Sequence, residues 1–343
     1  MKWRSWRKTG IMKIKMQKIE ISHRTIIFTV FFLIFLWLLV QIHQIILALF
    51  VALIIMAALN PLVDRLERLK LPRALAILTI YLLIFGGLGT TLGIIISPLI
   101  QQTTILIDRL PLFSEQFGFL GIQPETLASQ FTALTSIPAN LLKVVIGIFS
   151  NLVGILTVGV ISFYLLLERK NLEKYLVVLF GKSEEKKAKT VIDKIEFKLG
   201  SWVRGEIILM MIVGFLDFLG LRFLGIEFAL PIAILGGMLE IVPNIGPMVA
   251  TAPAILAGLT VSPLHGAAAA GWYFLVQQAE NSFIVPKVMR KITGLYPLIT
   301  ILALAVGFKL GGVAGAILSV PLVLTLQVIS TEVIDFFPQF DRI

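Results

Sequence analysis

Apolar residues run along this chain in long blocks, separated by shorter polar and basic stretches. A helix needs about 20 apolar residues to cross a hydrocarbon core about 30 Å thick. By that measure the pattern predicts spans at 26–40, 45–59, 74–96, 144–167 and 206–224. Three more follow at 231–259, 266–286 and 297–330, each broken by Pro or Gly. The block 26–59 is dented only at Gln41, His43 and Gln44. Two short spans in a tight hairpin are the preferred reading. One long tilted helix is the rival, because the dent holds no Gly, Pro or Asn. The block is too long for a signal peptide, and no small-residue cleavage site follows it closely. In the loop 168–205, Val191, Ile195, Leu199 and Trp202 recur at helical spacing beside a Lys/Glu-rich face. That predicts an amphipathic helix against the membrane or a neighbouring subunit. The stretch 97–143, with Pro111, Pro124 and Pro138, predicts short interfacial helices.

Composition narrows the class. Of 343 residues, 57% are hydrophobic and 15% charged, with a mean hydropathy of +0.95. Soluble domains are about a quarter charged, so a soluble enzyme and a disordered protein are excluded. The fold class is an all-α polytopic helical membrane protein of about eight hydrophobic segments. With no cysteine, disulfides, zinc–thiolate sites and thiol catalysis are out. His23, His43 and His265 have no ligand spacing, so no metal site and no cofactor are expected.

The net charge of +10 reads as a topology signal rather than a nucleic-acid footprint, because Lys and Arg collect on cytoplasmic loops. Residues 1–24 hold eight of them, the 60–73 loop four and the 168–205 loop ten, but 97–143 only Arg109 and Lys143. This places both termini in the cytoplasm of a multi-pass cell-membrane protein. It divides the chain into a basic N-terminus (1–25), three spans (26–96) and an extracytoplasmic segment (97–143). A fourth span with the amphipathic helix (144–205), a transport unit (206–330) and a tail (331–343) follow. Keeping Lys287, Arg290 and Lys291 inside requires 231–259 to enter and return on the outer side, and 297–330 to do the same on the inner side.

Those two hairpins share a pattern. Residues 229–256 and 295–324 each open on a proline, Pro231 or Pro297, and an apolar half. Each then breaks, at Pro243-Asn244-Ile245-Gly246-Pro247 or between Gly307 and Gly315 through Gly311 and Gly312. A second apolar half carries Pro253 or Pro321. Inverted repeats with broken helices are a usual scaffold of secondary transporters. Freed backbone groups at membrane depth must face protein or a watery cavity. Gly/Pro-rich membrane helices without a repeat are the plainer alternative.

Three acids lie inside these spans: Asp217, Glu240 and Glu280. An intramembrane carboxylate costs roughly 2.5–3.5 kcal/mol on insertion scales and marks an ion or substrate pathway by default. Glu240 lies four residues before Asn244, which would put both on one helix face at the break beside Gly246 and Pro247. Gln277, Glu280 and Asn281 form a polar stripe, for which simple helix-to-helix bonding is the competing role. Gly89-xxx-Gly93 and Gly311-xxx-Gly315 permit close helix packing. The sequence contains no phosphate-binding G-x-x-x-x-G-K-[ST] loop, H-E-x-x-H or G-x-S-x-G, so no enzyme is expected.

Four segments resemble the autoinducer-2 exporter (AI-2E) family of membrane transporters. They are Asn60-Pro61-Leu62-Val63-Asp64-Arg65-Leu66-Glu67-Arg68 with Leu71-Pro72-Arg73, and Glu240 to Pro247. The others are Val285-Pro286-Lys287-Val288-Met289 with Gly294 to Leu298, and Gly311 to Ala316 through Val320-Pro321. The chain departs from the family pattern at Asn244 and Tyr296. The resemblance implies eight segments, a homo-oligomer with a pentamer as the candidate number, and no catalytic residues. It implies a secondary carrier of a small metabolite such as autoinducer-2, or a cation- or proton-coupled antiporter. A non-transporting scaffold or lipid-interacting protein is the alternative. The expected partners are the bilayer and a small-molecule or ion substrate, with no nucleic acid.

Overall fold

The computed structural model describes residues 23–117, 147, 152–243, 245–289 and 294–336. Its elements in chain order begin with α1 (His23–Gln41), α2 (His43–Arg68), α3 (Arg73–Phe117) and α4 (Leu152–Glu168). After a 3-10 turn (Arg169–Asn171) come α5 (Leu172–Phe223), α6 (Ala229–Leu239) and α7 (Ile245–Val261). Next are α8 (Pro263–Ala279), a π turn (Glu280–Ile284), α9 (Val285–Met289) and α10 (Pro297–Phe336). Among the described residues all regular structure is helical, as the sequence predicts. His43–Arg68, Arg73–Ile96, Leu152–Leu179 and Leu298–Glu332 are long and apolar enough to cross a membrane, and Ile26–Gln41, Ala229–Leu239 and Gly246–Val261 are shorter apolar helices. Exposed Leu82, Leu83, Val153, Phe215 and Leu298 give these helices faces suited to lipid.

The chain divides into two units, residues 1–47 and 48–343. In the first, α1 ends at Gln41 and α2 begins at His43, inside the dent at residues 41–44. Ile42 N–H donates to Leu38 O (2.9 Å) and Ile46 N–H to Ile42 O (3.1 Å), so Ile42 closes one helix and opens the next.

In the second unit, two reversals are made by glycine. Gly312 takes φ 59° next to a non-helical Gly311. Residues 307 and 315 would lie about 12 Å apart along an unbroken helix. Instead, a Cβ on Gly315 would stand 2.1 Å from the Gly307 carbonyl oxygen. So α10 is two antiparallel arms, the hairpin expected for 297–330. Gly181, at φ 78°, likewise folds 172–180 back on 182–223, and Lys189 reaches Glu173 across the bend. The hairpin expected for 231–259 forms too, as α6 and α7 joined through 240–244.

Two other expectations change. Residues 97–117 continue α3 as one helix of 45 residues rather than as short interfacial pieces; residues 118–143 lie outside the described set. The stretch Leu99-Ile100-Gln101-Gln102 is made of helix-compatible residues, which suits continuation. The amphipathic face at Val191, Ile195, Leu199 and Trp202 packs inside the chain rather than on a membrane or partner. Leu199 and Ile195 meet Ile54, Ala57 and Phe50, and Trp202 meets Leu209, Val320 and Leu324. The two hairpins share that last core, because Val242 from the first break packs with Leu304, Ala316 and Val320.

Candidate functional site

Helix α5 builds the site on one face. Glu206, Leu209, Val213, Asp217 and Leu221 recur at three- and four-residue steps and are all buried. On the opposite face Ile207, Ile208, Met211, Phe215 and Leu219 are exposed. The polarity is therefore inside out, with acids inward and hydrocarbon outward, as for charged groups that face a bundle interior. Glycines allow the close approach. A Cβ on Gly237 of α6 would lie 2.5 Å from the Met210 carbonyl, and Gly214 packs on the same spot. Neighbouring Gly236 then lies against Asp217, whose Oδ2 is 2.7 Å from where a Cβ would sit.

Helix α8 closes the other side. The Trp272 ring lies over Gly220, and its Nε1–H donates to the Leu216 carbonyl at 3.1 Å. This turns Tyr273 inward, where its hydroxyl and the Asp217 carboxylate flank Gly236. The two groups interact electrostatically, yet neither Tyr273 Oη nor Asp217 Oδ1 completes a hydrogen bond of good geometry.

The π turn follows at once. Pro286 lacks an N–H, so it cannot continue the α-helical ladder, and Val285 N–H instead donates to Glu280 O. Such single π turns concentrate at functional sites. This one starts at Glu280, a buried acid that accepts from Gln277 Nε2 at 3.2 Å. The wider turn leaves Asn281 exposed, so the expected stripe keeps Gln277 and Glu280 and loses Asn281.

Glu240 caps the C-terminus of α6, with its N–H on Gly236 O, and is 1% exposed. The helix ends one residue before it, so Glu240 does not share a helical face with the residues of the break. Asn244 lies outside the described residues. Gly246 is required at its place, because a Cβ there would be 1.7 Å from Leu239 O. Pro247 is buried, and its carbonyl accepts from Thr251. Pro243 is half-buried, and Pro253 and Pro321 are buried within helices. Gly311 and Gly312 are exposed at the second tip.

Glu206 is the acid that the sequence reading missed, because it stands at the edge of the predicted span beside Arg204. It is 3% exposed, and neither carboxylate oxygen has a hydrogen-bond partner. Glu280 interacts electrostatically with both Glu206 and Asp217, and Glu240 with all three of the others. No ion pair with a Lys or Arg reaches any of the four among the described residues. Nor does any group of three His, Asp or Glu there have a metal-holding arrangement.

A second polar cluster lies at one end of the helices. Arg73 donates to Leu166 O (2.8 Å), Asp64 (2.9 Å), Glu67 (3.0 Å) and Asn60 Oδ1 (2.7 Å). Asn60 Nδ2 passes the network to Glu196 at 2.8 Å, and Arg169 joins Glu196 and Asp193 at 2.5 and 2.6 Å. Lys170 bonds Glu67 at 2.5 Å. At the same end Lys194 pairs with Glu332, and Lys198 donates to Gln327 at 2.8 Å. Residues 60–73, 166–198 and 327–332 thus share one pole.

The AI-2E family transporter model matches residues 26–335 of the sequence. The chain belongs to that family. A Bacillus subtilis (strain 168) relative named "Putative transport protein YrrI" is 26% identical over 85% of this chain and 87% of its own length. The AI-2 transport protein TqsA of Escherichia coli (strain K12) is 27% identical over 82% and 83%. The sodium-lithium/proton antiporter of Halobacillus andaensis is 22% identical over 81% and 87%. This AI-2E protein is a multi-pass membrane transporter, and the relatives' names are those of transporters rather than enzymes.

Proposed function

We propose that the chain is a secondary carrier in which the unit 206–330 couples movement of a small solute to a cation gradient. One observation carries the reading: four buried carboxylates without a cationic partner line the interior between α5, the first hairpin break and the π turn. Unpaired buried charges are destabilising, so a fold that keeps four of them is built for a positive ligand that comes and goes. The names of TqsA and of the Halobacillus antiporter supply the two candidate cargoes, autoinducer-2 and alkali cations. The hairpins enter the membrane from opposite faces as inverted repeats, and the pole with Arg73 and Arg169 faces the cytoplasm of the cell membrane, in keeping with the positive-inside rule. The family resemblance also supports a homo-oligomer, which native mass measurement of the solubilised protein would count.

The test is reconstitution in liposomes holding a pH-sensitive dye. A sodium or lithium pulse, or autoinducer-2 uptake under an imposed pH gradient, gives solute flux in wild type. Asp217→Asn and Glu240→Gln abolish coupled flux while the protein remains folded. Flux of both cargoes indifferent to both substitutions overturns the role of these acids.

A further inference from the structure

Glu206 is a buried acid without a hydrogen-bond partner, at the opposite end of the buried face of α5 from Asp217. It stands on the inward face of α5, eleven residues before Asp217. Eleven residues are three turns plus about 20°, so both carboxylates leave α5 on one face, about 16 Å apart along its axis. The space between is served by other elements: Glu240 from the first hairpin break and Glu280 from the π turn each interact with both ends. The lower end lies near the polar pole, since Trp202, one turn before Glu206, packs with Met289 and Leu324, and Lys198 bonds Gln327.

The facing groups set the kind of ligand. The elements packed around Glu206 contribute Glu240, Glu280, Gln277, Tyr273 and Ser319 to the interior. Of their cations, Arg204 on α5, Lys287 on α9 and Lys309 on α10 are exposed, and half-buried Lys198 on α5 is bonded to Gln327 at 2.8 Å. Arg204 turns to the Ser201 hydroxyl at 2.9 Å. A dehydrated metal cation calls for several oxygens converging at one point, and no three of these acids converge. A proton needs one oxygen at a time, which suits acids strung along a line.

We propose that Glu206 is the entry port of a proton relay that runs along α5 through the Glu240–Glu280 pair to Asp217 beside Tyr273. Because neither Glu206 oxygen bonds another group, a water molecule must bridge each gap. An O–H bond on one carboxyl breaks as the water oxygen takes the proton, and an O–H bond of that water breaks as the next carboxylate's lone pair takes the other, so charge and atoms balance. The relay rests on the carrier reading and makes the coupling ion a proton, delivered from the pole that holds Arg73 and Arg169.

Infrared difference spectroscopy on the full chain in liposomes tests this without a transport substrate. Raising the pH at constant salt should remove carbonyl bands of protonated carboxyls. Glu206→Gln should delete one such band and shift the titration of those that remain. Glu206→Asp should restore a band, which separates loss of the proton site from misfolding. Adding sodium chloride at constant pH should leave the bands unchanged. Bands that vanish on sodium addition, or a Glu206→Gln spectrum identical to wild type, overturn the relay. Solute flux from a protein with such a spectrum would leave the carrier reading standing while the relay falls. The expected bands in a protein that moves no solute would keep the relay and remove the carrier.

Discussion

Arg73 donates four hydrogen bonds from one guanidinium, and its side chain is only 9% exposed. Three of its partners, Asn60, Asp64 and Glu67, lie at four- and three-residue steps on one face of α2, so helical geometry gathers them. Lysine has no planar fork to replace these bonds. Arg73→Lys should destabilise the protein by about 2–3 kcal/mol, the scale of one or two lost charged hydrogen bonds, and thermal unfolding in detergent reads the loss. Glu67 adds a pH dependence. The Lys170 ammonium bonded to it, with help from Arg73 and against some desolvation, holds its carboxyl below the usual 4.5. A depressed folded value contributes stability that is full above about pH 4.5 and lost as the pH falls through the folded value. The melting temperatures of wild type and Glu67→Gln should therefore differ at neutral pH and converge below pH 4.5; a gap that stays constant on acidification would contradict the assignment. The motif from Asn60 to Arg73 was legible as a family mark, but its work as a pole-side network was not. Its partners Leu166, Arg169 and Glu196 lie more than ninety residues away, and sequence spacing says nothing about them.

Glycines show the same limit at the scale of elements. Gly89-xxx-Gly93 and Gly311-xxx-Gly315 look alike in sequence. A Cβ on Gly89 or Gly93 meets nothing within 4 Å, whereas one on Gly315 meets the Gly307 backbone at 2.1 Å. The pairing that matters is Gly307 with Gly315, across a reversal at Gly312 that needs a positive φ. Gly315→Ala should cost about 1–3 kcal/mol as an overpacked contact, and Gly89→Ala should be neutral or slightly stabilising because alanine favours helix. Equal melting temperatures for the two variants would argue against the tight arms. The second hairpin could be read in advance because Gly311-Gly312 interrupts an apolar run longer than one span. The reversal at Gly181 was missed, as a lone glycine in a charged loop gives no such contrast.

For the whole molecule, the ion-pair network fixes which chain segments lie at the same end, and labelling can set that end against the competing membrane topologies. Residues 60–73, 166–198 and 327–332 share a pole through side-chain bonds. Met289 joins it through Trp202. The re-entrant reading puts Lys287, two residues before Met289, at that pole, whereas eight plain crossings would put it opposite. Arg222 lies at the far end of α5, about 27 Å from Arg204, close to the thickness of the hydrocarbon core. The chain has no native cysteine, so single cysteines are unambiguous reporters. In intact cells, an impermeant thiol reagent should label Arg222→Cys and spare Arg65→Cys and Lys287→Cys. After the cells are opened, all three should react. Labelling of Lys287→Cys from outside, together with Arg222→Cys, would mean that the first hairpin crosses the membrane instead of returning. Glu240 would then no longer sit at the tip of a half-entered loop, and alternating access through the acids would lose its structural basis.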